Sequence, residues 1–145
     1  MVQAVISKTD YIGIHAKSAD LTPTRLANIE LLLRAVNRLM MQGMKEGVIF
    51  PINKKTGSQI AGETYGGFRP QYCTVGAPKS AHKEGLAVDI YDPLPGLIDT
   101  WLQTSKEAKK LYEELGIYFE SPQHTIGWSH WTIKPPLSGN RFFFP

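Results

Sequence analysis

Apolar residues near the start of the chain follow the spacing of one face of an α-helix. They recur three or four positions apart, at Leu26, Ile29, Leu33, Val36 and Met40. Thr22 can cap the first turn with its hydroxyl, and Pro23 suits the first helical position because an N–H there would have no partner. The pattern therefore predicts a long helix that ends near Gly43 or Gly47 and lays one face on a sheet.

A second apolar face predicts another helix, from about Leu97 to Leu115. Its members are Ile98, Trp101, Leu102, Ala108, Leu111 and Leu115. Gly116 can end this helix, since glycine readily adopts the left-handed conformation that follows many last turns. The segment up to Leu21 contains helix breakers and is predicted to be irregular.

Short runs of β-branched, aromatic and apolar residues predict strands at residues 117–120 and 128–133, and a short strand or an extended segment at 48–52. A further buried strand begins at Leu86. The phenylalanines at the C-terminus should pack back on the domain, because three exposed phenylalanine side chains would form an aggregation-prone patch. These elements predict one α+β domain over residues 1–145, with an irregular segment at 1–21 and two main helices packed against a small antiparallel sheet.

Composition narrows the classes of protein to which the chain can belong. The 16 basic and 13 acidic residues give a net charge of only +3, without a basic stripe interleaved with aromatics, so we expect no nucleic-acid partner. A single cysteine, Cys73, excludes an intrachain disulfide. The sequence shows no signal peptide and no membrane-spanning apolar run, so we expect a protein that is made in the cytoplasm. We also expect a monomer.

Three residues could form a metal site. His82 lies on a turn, and Asp89 follows after six intervening residues on the predicted strand; Gly85 lets the chain swing back between them. His130 stands far downstream in another strand-like run. Three ligands leave a fourth position of Zn²⁺ open for water, as in catalytic sites. The alternative is a set of structural residues without a metal: a loop histidine, a strand-end aspartate and a core histidine.

These residues belong to a pattern that resembles the zinc D-Ala-D-Ala carboxypeptidase family. The matching positions are Ser80, His82, Gly85, Ala87 and Asp89, followed by Trp128 and His130. The family contains cell-wall D,D-carboxypeptidases, D-Ala-D-Ala dipeptidases and phage endolysins, and it shares its fold with the hedgehog domain. The resemblance covers roughly residues 50–145 and is greatest to compact phage or prophage members without a wall-binding domain.

The resemblance implies Zn²⁺ as cofactor, His82, Asp89 and His130 as its ligands, and peptidoglycan stem peptides as substrate. It implies action at the cell wall after release or delivery, either as a free enzyme or as part of a virion. Because the sequence shows no signal peptide, another component would have to carry the protein to its substrate.

Further roles follow from the same resemblance. Arg69, in a Gly-Gly-Phe-Arg-Pro run, would lie near the metal and bind a substrate carboxylate or carbonyl; the alternative is a surface ion pair. Ser80 would bond substrate or orient the site, or else stabilise its turn. Trp128 would line the cleft or belong to the core. Lys83 and Glu84 are expected to be solvated.

The sequence departs from the family pattern at the general base. Many members have Glu-x-x-His at the last ligand, whereas this chain has Gly127 in place of the glutamate. Glu120, ten residues before His130, and His124, six before it, are the two replacements, with Glu120 ranked first. If neither replaces the glutamate, the domain would be a catalytically inactive, zinc-stabilised module that binds a wall peptide or a phage structural partner.

Overall fold

Helices pack on one face of a four-stranded sheet in the computed structural model, which describes residues 5–145. The helices are α1 (Lys8–Ile12), α2 (Pro23–Lys45), α3 (Leu97–Thr104) and α4 (Lys106–Leu115). The strands are β1 (Ala87–Asp92), β2 (Tyr118–Glu120), β3 (Gly127–Thr132) and β4 (Phe142–Phe143). Three short 3-10 turns lie at Gly13–His15, Ala81–Glu84 and Pro122–His124. The predicted α+β class is confirmed. No helix within these residues combines the length and hydropathy needed to cross a membrane.

Helix α2 has the predicted start and apolar face. The Thr22 hydroxyl accepts a hydrogen bond from the Arg25 backbone N–H at 3.3 Å, and Pro23 is the first helical residue. The buried apolar side chains are Ile29, Leu32, Leu33, Val36, Leu39 and Met40. The helix ends at Lys45, between Gly43 and Gly47. Gly43 lies inside it, where the missing side chain leaves room for the Phe50 and Trp101 rings.

The second predicted helix is broken in two, so the prediction of one continuous helix is wrong. Ser105 has extended backbone angles, φ −84° and ψ 123°, and its hydroxyl accepts from the Ala108 N–H at 3.0 Å, which caps α4. The apolar pattern continues across the break because α3 and α4 pack on the same core, through Trp101, Leu102, Ala108 and Tyr112.

One of the two segments before the sheet differs from prediction. Helix α1 lies in the segment predicted to be irregular, and it forms because the Ser7 hydroxyl accepts from the Asp10 N–H at 3.0 Å. Residues 1–4 of that segment lie outside the described residues. Residues 48–52 form no strand, which leaves the predicted alternative of an extended segment; Phe50 is buried there, while Ile49 and Ile52 are exposed.

The sheet has the order β1-β3-β2-β4. Strands β1 and β2 each run antiparallel to β3, but β4 runs parallel to β2, so the prediction of a wholly antiparallel sheet is wrong at this edge. The connection after β3 crosses β2 and returns to the sheet on the far side of β2. Strand β4 therefore runs in the direction opposite to β3. The expected packing of the C-terminus holds for the half-buried Phe142 and Phe143, whereas Phe144 is 71% exposed.

Alternation along the strands separates a core face from a site face. Trp131 and Phe119 are fully buried, and the Trp131 ring lies edge-on to Phe50. Since successive side chains point to opposite faces of a strand, the neighbouring His130 and its partner Asp89 face away from the helices. The chemistry-bearing residues of β1 and β3 therefore share the face that the helices leave free.

A buried carboxylate ties α3 to β3. The Ser129 hydroxyl donates to Asp99 Oδ1 at 2.5 Å, and Trp131 Nε1 donates to the same hydroxyl oxygen at 2.7 Å. Burial raises the pKa of Asp99 to about 6; the bond from Ser129 opposes this shift, and the charge of Asp92 adds to it. Folding therefore favours the protonated form of Asp99 between pH 4 and pH 6.

This pKa shift predicts a pH-dependent loss of stability. Because the folded pKa of Asp99 lies above its unfolded value, its contribution is complete below pH 4 and is lost as the pH rises through 6. We expect the stability of wild type relative to Asp99→Asn to fall by about 2–3 kcal/mol between pH 4 and pH 7. Urea unfolding at several pH values measures it, with Asp10→Asn, an exposed carboxylate, as control. A pH-independent difference would contradict the expectation.

Candidate metal centre

His82, Asp89 and His130 converge on the free face of the sheet. Each offers one ligand atom, and these atoms all lie within 4.8 Å of one another. Asp89 Oδ1 is 2.8 Å from His130 Nδ1 and 3.3 Å from His82 Nε2, and the two imidazole ring centres are 5.1 Å apart. This group could hold a metal ion.

Two local structures bring these residues together. The antiparallel register of β1 and β3 sets Asp89 directly opposite His130. His82 lies on the 3-10 turn that precedes β1. Ser80 caps the start of this turn, because its hydroxyl accepts from the His82 N–H at 3.2 Å. Gly85 then turns the chain into β1 at φ +75°, where a Cβ would press on Ile29. Ser80 is thus placed as the cap of the turn, and its role toward substrate stays a prediction.

The hydrogen bonds of His82 fit a metal ligand. Its Nδ1 lies 2.8 Å from the Gly67 carbonyl oxygen, which can only accept, so Nδ1 carries the proton of the neutral ring. Nε2 is then left with a lone pair; it is buried and makes no hydrogen bond within the described part of the chain. Burial lowers the pKa of His82, although the Asp89 charge opposes this shift. A neutral nitrogen and a carboxylate oxygen therefore face each other as two acceptors, an arrangement that a cation satisfies.

Asp89 stays ionised despite its burial. Burial alone would raise its pKa, but the neighbouring His82 and His130 imidazoles outweigh this effect and hold the pKa of Asp89 well below the ordinary range. Arg69 Nη2 also lies 3.4 Å from Asp89 Oδ2. Asp89 therefore directs one carboxylate oxygen, Oδ1, to the two imidazoles, while its other oxygen, Oδ2, faces Arg69.

Arg69 is buried beside the cluster, with only 8% of its surface exposed, and is no surface ion-pair partner. Its Nε donates to the Tyr65 carbonyl at 2.8 Å and its Nη1 to the Val75 carbonyl at 3.2 Å. These bonds fix the plane of the guanidinium. Its predicted contact with substrate stays a prediction.

Sequence reasoning missed the Gly66-Gly67 backbone, which holds two of the candidate ligands. The Gly66 carbonyl accepts from the Asp89 N–H at 2.7 Å, and the Gly67 carbonyl faces His82 Nδ1. A Cβ on Gly67 would collide with the carbonyl oxygen of Tyr11. The glycine doublet before an aromatic-Arg-Pro run was the signal in the sequence, because such close approach requires glycine.

Lys83 is buried, so the expectation that it is solvated is wrong. Its Nζ donates to the Gln71 carbonyl at 3.0 Å and to the Pro78 carbonyl at 3.3 Å, which fastens both ends of the loop that passes Arg69. Glu84 is half-buried and forms an ion pair with Lys134 at 2.6 Å.

Glu120 lies at the end of β2 on the same face as the cluster. The register of β2 and β3 pairs Phe119 with Trp131, and its continuation sets Glu120 opposite His130. Side chains that oppose each other across strands share one face, with Cβ atoms about 5 Å apart. The Phe143 ring, which pairs with Glu120 from β4, lies 6.0 Å from the His130 ring, in agreement with this order. We call Asp89, His130 and Glu120 the metal row.

Electrostatics also connect Glu120 to the cluster. Burial raises the pKa of Glu120, His130 and His124 lower it, and Asp89 raises it. His124 is exposed on the 3-10 turn after β2, with its ring against Phe144 at 5.5 Å. Glu120 therefore lies within electrostatic reach of the cluster, whereas His124 acts electrostatically on Glu120.

Gly127 and Trp128 occupy the start of β3. Gly127 is opposite Asp92 in the register, and Trp128 is half-buried opposite Tyr91. Trp128 thus lies on the site face, two positions before His130.

Comparisons of the chain with protein-family models, with curated proteins and with solved structures found no match. The resemblance to the zinc D-Ala-D-Ala carboxypeptidase family therefore rests on the motif residues of this chain alone.

Proposed function

We propose that this protein is a zinc peptidase that hydrolyses peptide bonds of D-amino acids in peptidoglycan stem peptides. The observation that carries the proposal is the buried Nε2 of His82, which has no hydrogen-bond partner within residues 5–145 and faces the Asp89 carboxylate 3.3 Å away. A buried acceptor without a donor is destabilising unless a ligand satisfies it. The residue pattern resembling the peptidase family supplies the substrate class.

His82, Asp89 and His130 would hold the ion. Two imidazoles and one carboxylate match the ligand set of catalytic zinc sites, in which a fourth position stays open. When bound there, Zn²⁺ would supply Lewis acidity and an attacking water of lowered pKa.

Arg69 would hold the substrate's carbonyl or carboxylate oxygen. A guanidinium has five N–H donors, of which the bonds to Tyr65, Val75 and Asp89 engage three. The remaining two would donate to a substrate oxygen. Because the backbone carbonyls fix its plane, the donors are already oriented when the oxygen gains negative charge.

Glu120 would accept the proton of the attacking water and return it to the leaving amine. Its position opposite His130 in the continued register of β2 and β3 supports this role. Its raised pKa supports this role, since a carboxyl that titrates closer to neutral pH exchanges protons more readily in both directions.

A second candidate function is a zinc-stabilised module that binds a wall peptide or a phage structural partner without cutting it. The observation that favours it is Gly127, which has no side chain where the family pattern places a glutamate.

Release of soluble peptides from purified peptidoglycan tests the proposal. We expect the zinc-loaded protein to release peptides or D-alanine, a chelator to abolish the release, and added Zn²⁺ to restore it. If the protein binds zinc but releases nothing between pH 5 and pH 9, the peptidase proposal fails and the binding module takes its place. The products also separate a carboxypeptidase, which frees D-alanine, from an endopeptidase, which opens cross-links.

A further inference from the structure

A groove of about 850 Å³ lies between α2 and α4, and its lining contains no residue of the metal row. The two helices pack against each other, and their side chains form its two walls. The α2 wall runs from Arg34 to Lys45, and the α4 wall runs from Glu107 to Glu114. At a rise of about 1.5 Å per residue, the α2 wall is about 16 Å long, which is about three helical turns.

The floor of the groove is apolar. Met41 and Leu111 are half-buried there, and Leu111 also packs against the hydrophobic core. The CH₂ groups of the long arginine and lysine side chains add to this apolar surface. A continuous apolar surface with a polar rim is typical of a site that binds a segment of another protein.

The rim of the groove is mainly basic. All its basic side chains are exposed, and within residues 5–145 none of them forms an ion pair or a side-chain hydrogen bond; they are Arg34, Arg38, Lys45 and Lys110. The two carboxylates, Glu107 and Glu114, both belong to α4. Four basic and two acidic residues leave a net charge of +2, and the α2 wall carries positive charge only.

The walls indicate that the occupant is a helix. The backbone N–H and C=O groups of α2 and α4 bond within their own helices, so the walls offer side chains alone. An extended segment would bury backbone groups there without partners, whereas a helix satisfies its own backbone hydrogen bonds. An amphipathic helix in an apolar groove is a recurrent mode of peptide recognition.

We infer that this groove docks an amphipathic helix of a partner protein, with apolar side chains on the buried face and aspartate or glutamate on the flank that faces α2. A second copy of the chain, joined groove to groove, would bring a face of the same net charge. Residues 1–4 contain no carboxylate that could pair with the rim. The inference is independent of the proposed peptidase function, because the groove shares no residue with the metal centre.

A designed peptide tests the groove by fluorescence anisotropy. The probe is a fluorescein-labelled helix of about 14 residues, with leucines along one face and glutamates on both flanks of that face. One comparison peptide has lysine in place of every glutamate, and the other has the same residues in an order that scatters the leucines. We expect wild type to bind the acidic amphipathic peptide at least about tenfold more tightly than either, and added salt to weaken this binding.

A double variant, Arg34→Glu with Arg38→Glu, should weaken binding of the acidic peptide about tenfold or more, because two attractive contacts become repulsive. Both side chains are exposed, and glutamate has nearly the helix propensity of arginine, so the fold should be kept. Lys54→Glu with Lys55→Glu is the matched control, since it makes an equal change of sign at two exposed residues outside the groove. It should leave the affinity at the wild-type value, and circular dichroism checks that both variants are folded.

Equal affinity for the three peptides, or wild-type affinity in the folded Arg34/Arg38 double variant, would overturn the inference. Binding to phosphatidylglycerol vesicles that this variant loses, without binding of the acidic peptide, would assign the groove to an anionic lipid surface instead. A dimer in sedimentation analysis that this variant dissociates would assign it to a second copy of the chain. The titrations use metal-free and zinc-loaded protein side by side, so failure of the groove leaves the peptidase proposal standing, and the reverse also holds.

Discussion

Replacing His82 with alanine is expected to remove metal binding and, with it, all hydrolysis. The imidazole is 1% exposed, and its Nε2 is the buried acceptor that a cation would satisfy. Loss of an outer partner of a ligand already weakens metal affinity about 10- to 100-fold, so loss of the ligand itself should weaken Zn²⁺ affinity by more than about 100-fold. Metal analysis after dialysis against buffered Zn²⁺ measures the change, and peptide release from peptidoglycan should fall to background.

Two variants separate this effect from unfolding. His82→Gln fills most of the same volume and keeps a polar group near the Gly67 carbonyl, so it should fold as wild type while binding metal weakly. His124→Ala removes an exposed imidazole outside the cluster and should keep full metal affinity. Wild-type Zn²⁺ affinity in a folded His82→Ala protein would show that the three residues do not form the metal centre.

Glu120→Gln is expected to lower kcat by about 100- to 10,000-fold, the usual contribution of a general acid–base group. Glutamine keeps the size of the side chain but cannot accept the proton from water. Zn²⁺ affinity should stay at the wild-type value, because Glu120 is not one of the three converging ligands. Steady-state hydrolysis of N-acetyl-lysyl-D-Ala-D-Ala, with metal content measured in parallel, gives both quantities.

Comparison with His124→Ala identifies which candidate moves the proton. If His124→Ala loses the activity and Glu120→Gln keeps it, the base is the exposed histidine on the turn after β2. Glu113→Gln, an exposed glutamate on α4, should leave kcat unchanged and serves as the matched control. Full activity in both the Glu120 and His124 variants would exclude both residues as the base.

Local signals in the sequence predicted α2 but not the break between α3 and α4. Thr22 and Pro23 mark the start of α2 by chemistry that acts within a few residues. The apolar period, by contrast, runs through Ser105 because both helices bury their faces in one core. The spacing of apolar residues shows which side chains are buried but not where a helix ends. Only the ability of Ser105 to cap a helix pointed to two helices instead of one.

For the site, spacing brought His82, Asp89 and His130 together as candidates, and the structure places them within reach of one ion. The metal row could not be predicted, since the position of Glu120 depends on how β2 pairs with β3. Strand register across long separations is set by the whole core, so it is the part that a single sequence reveals least.

Helix α1 has a consequence for the order in which the molecule folds. The Tyr11 hydroxyl donates to the Ala87 carbonyl, 76 positions away, and the Tyr11 carbonyl accepts from Phe68 beside the Gly66-Gly67 backbone. Forming a contact between residues so distant along the chain costs loop-closure entropy before the contact stabilises the fold. Such contacts therefore form late in folding. The His82-Asp89-His130 cluster also needs β3, which carries His130. A chain still emerging from the ribosome therefore carries His82 and Asp89 without the complete cluster until β3 has been synthesised.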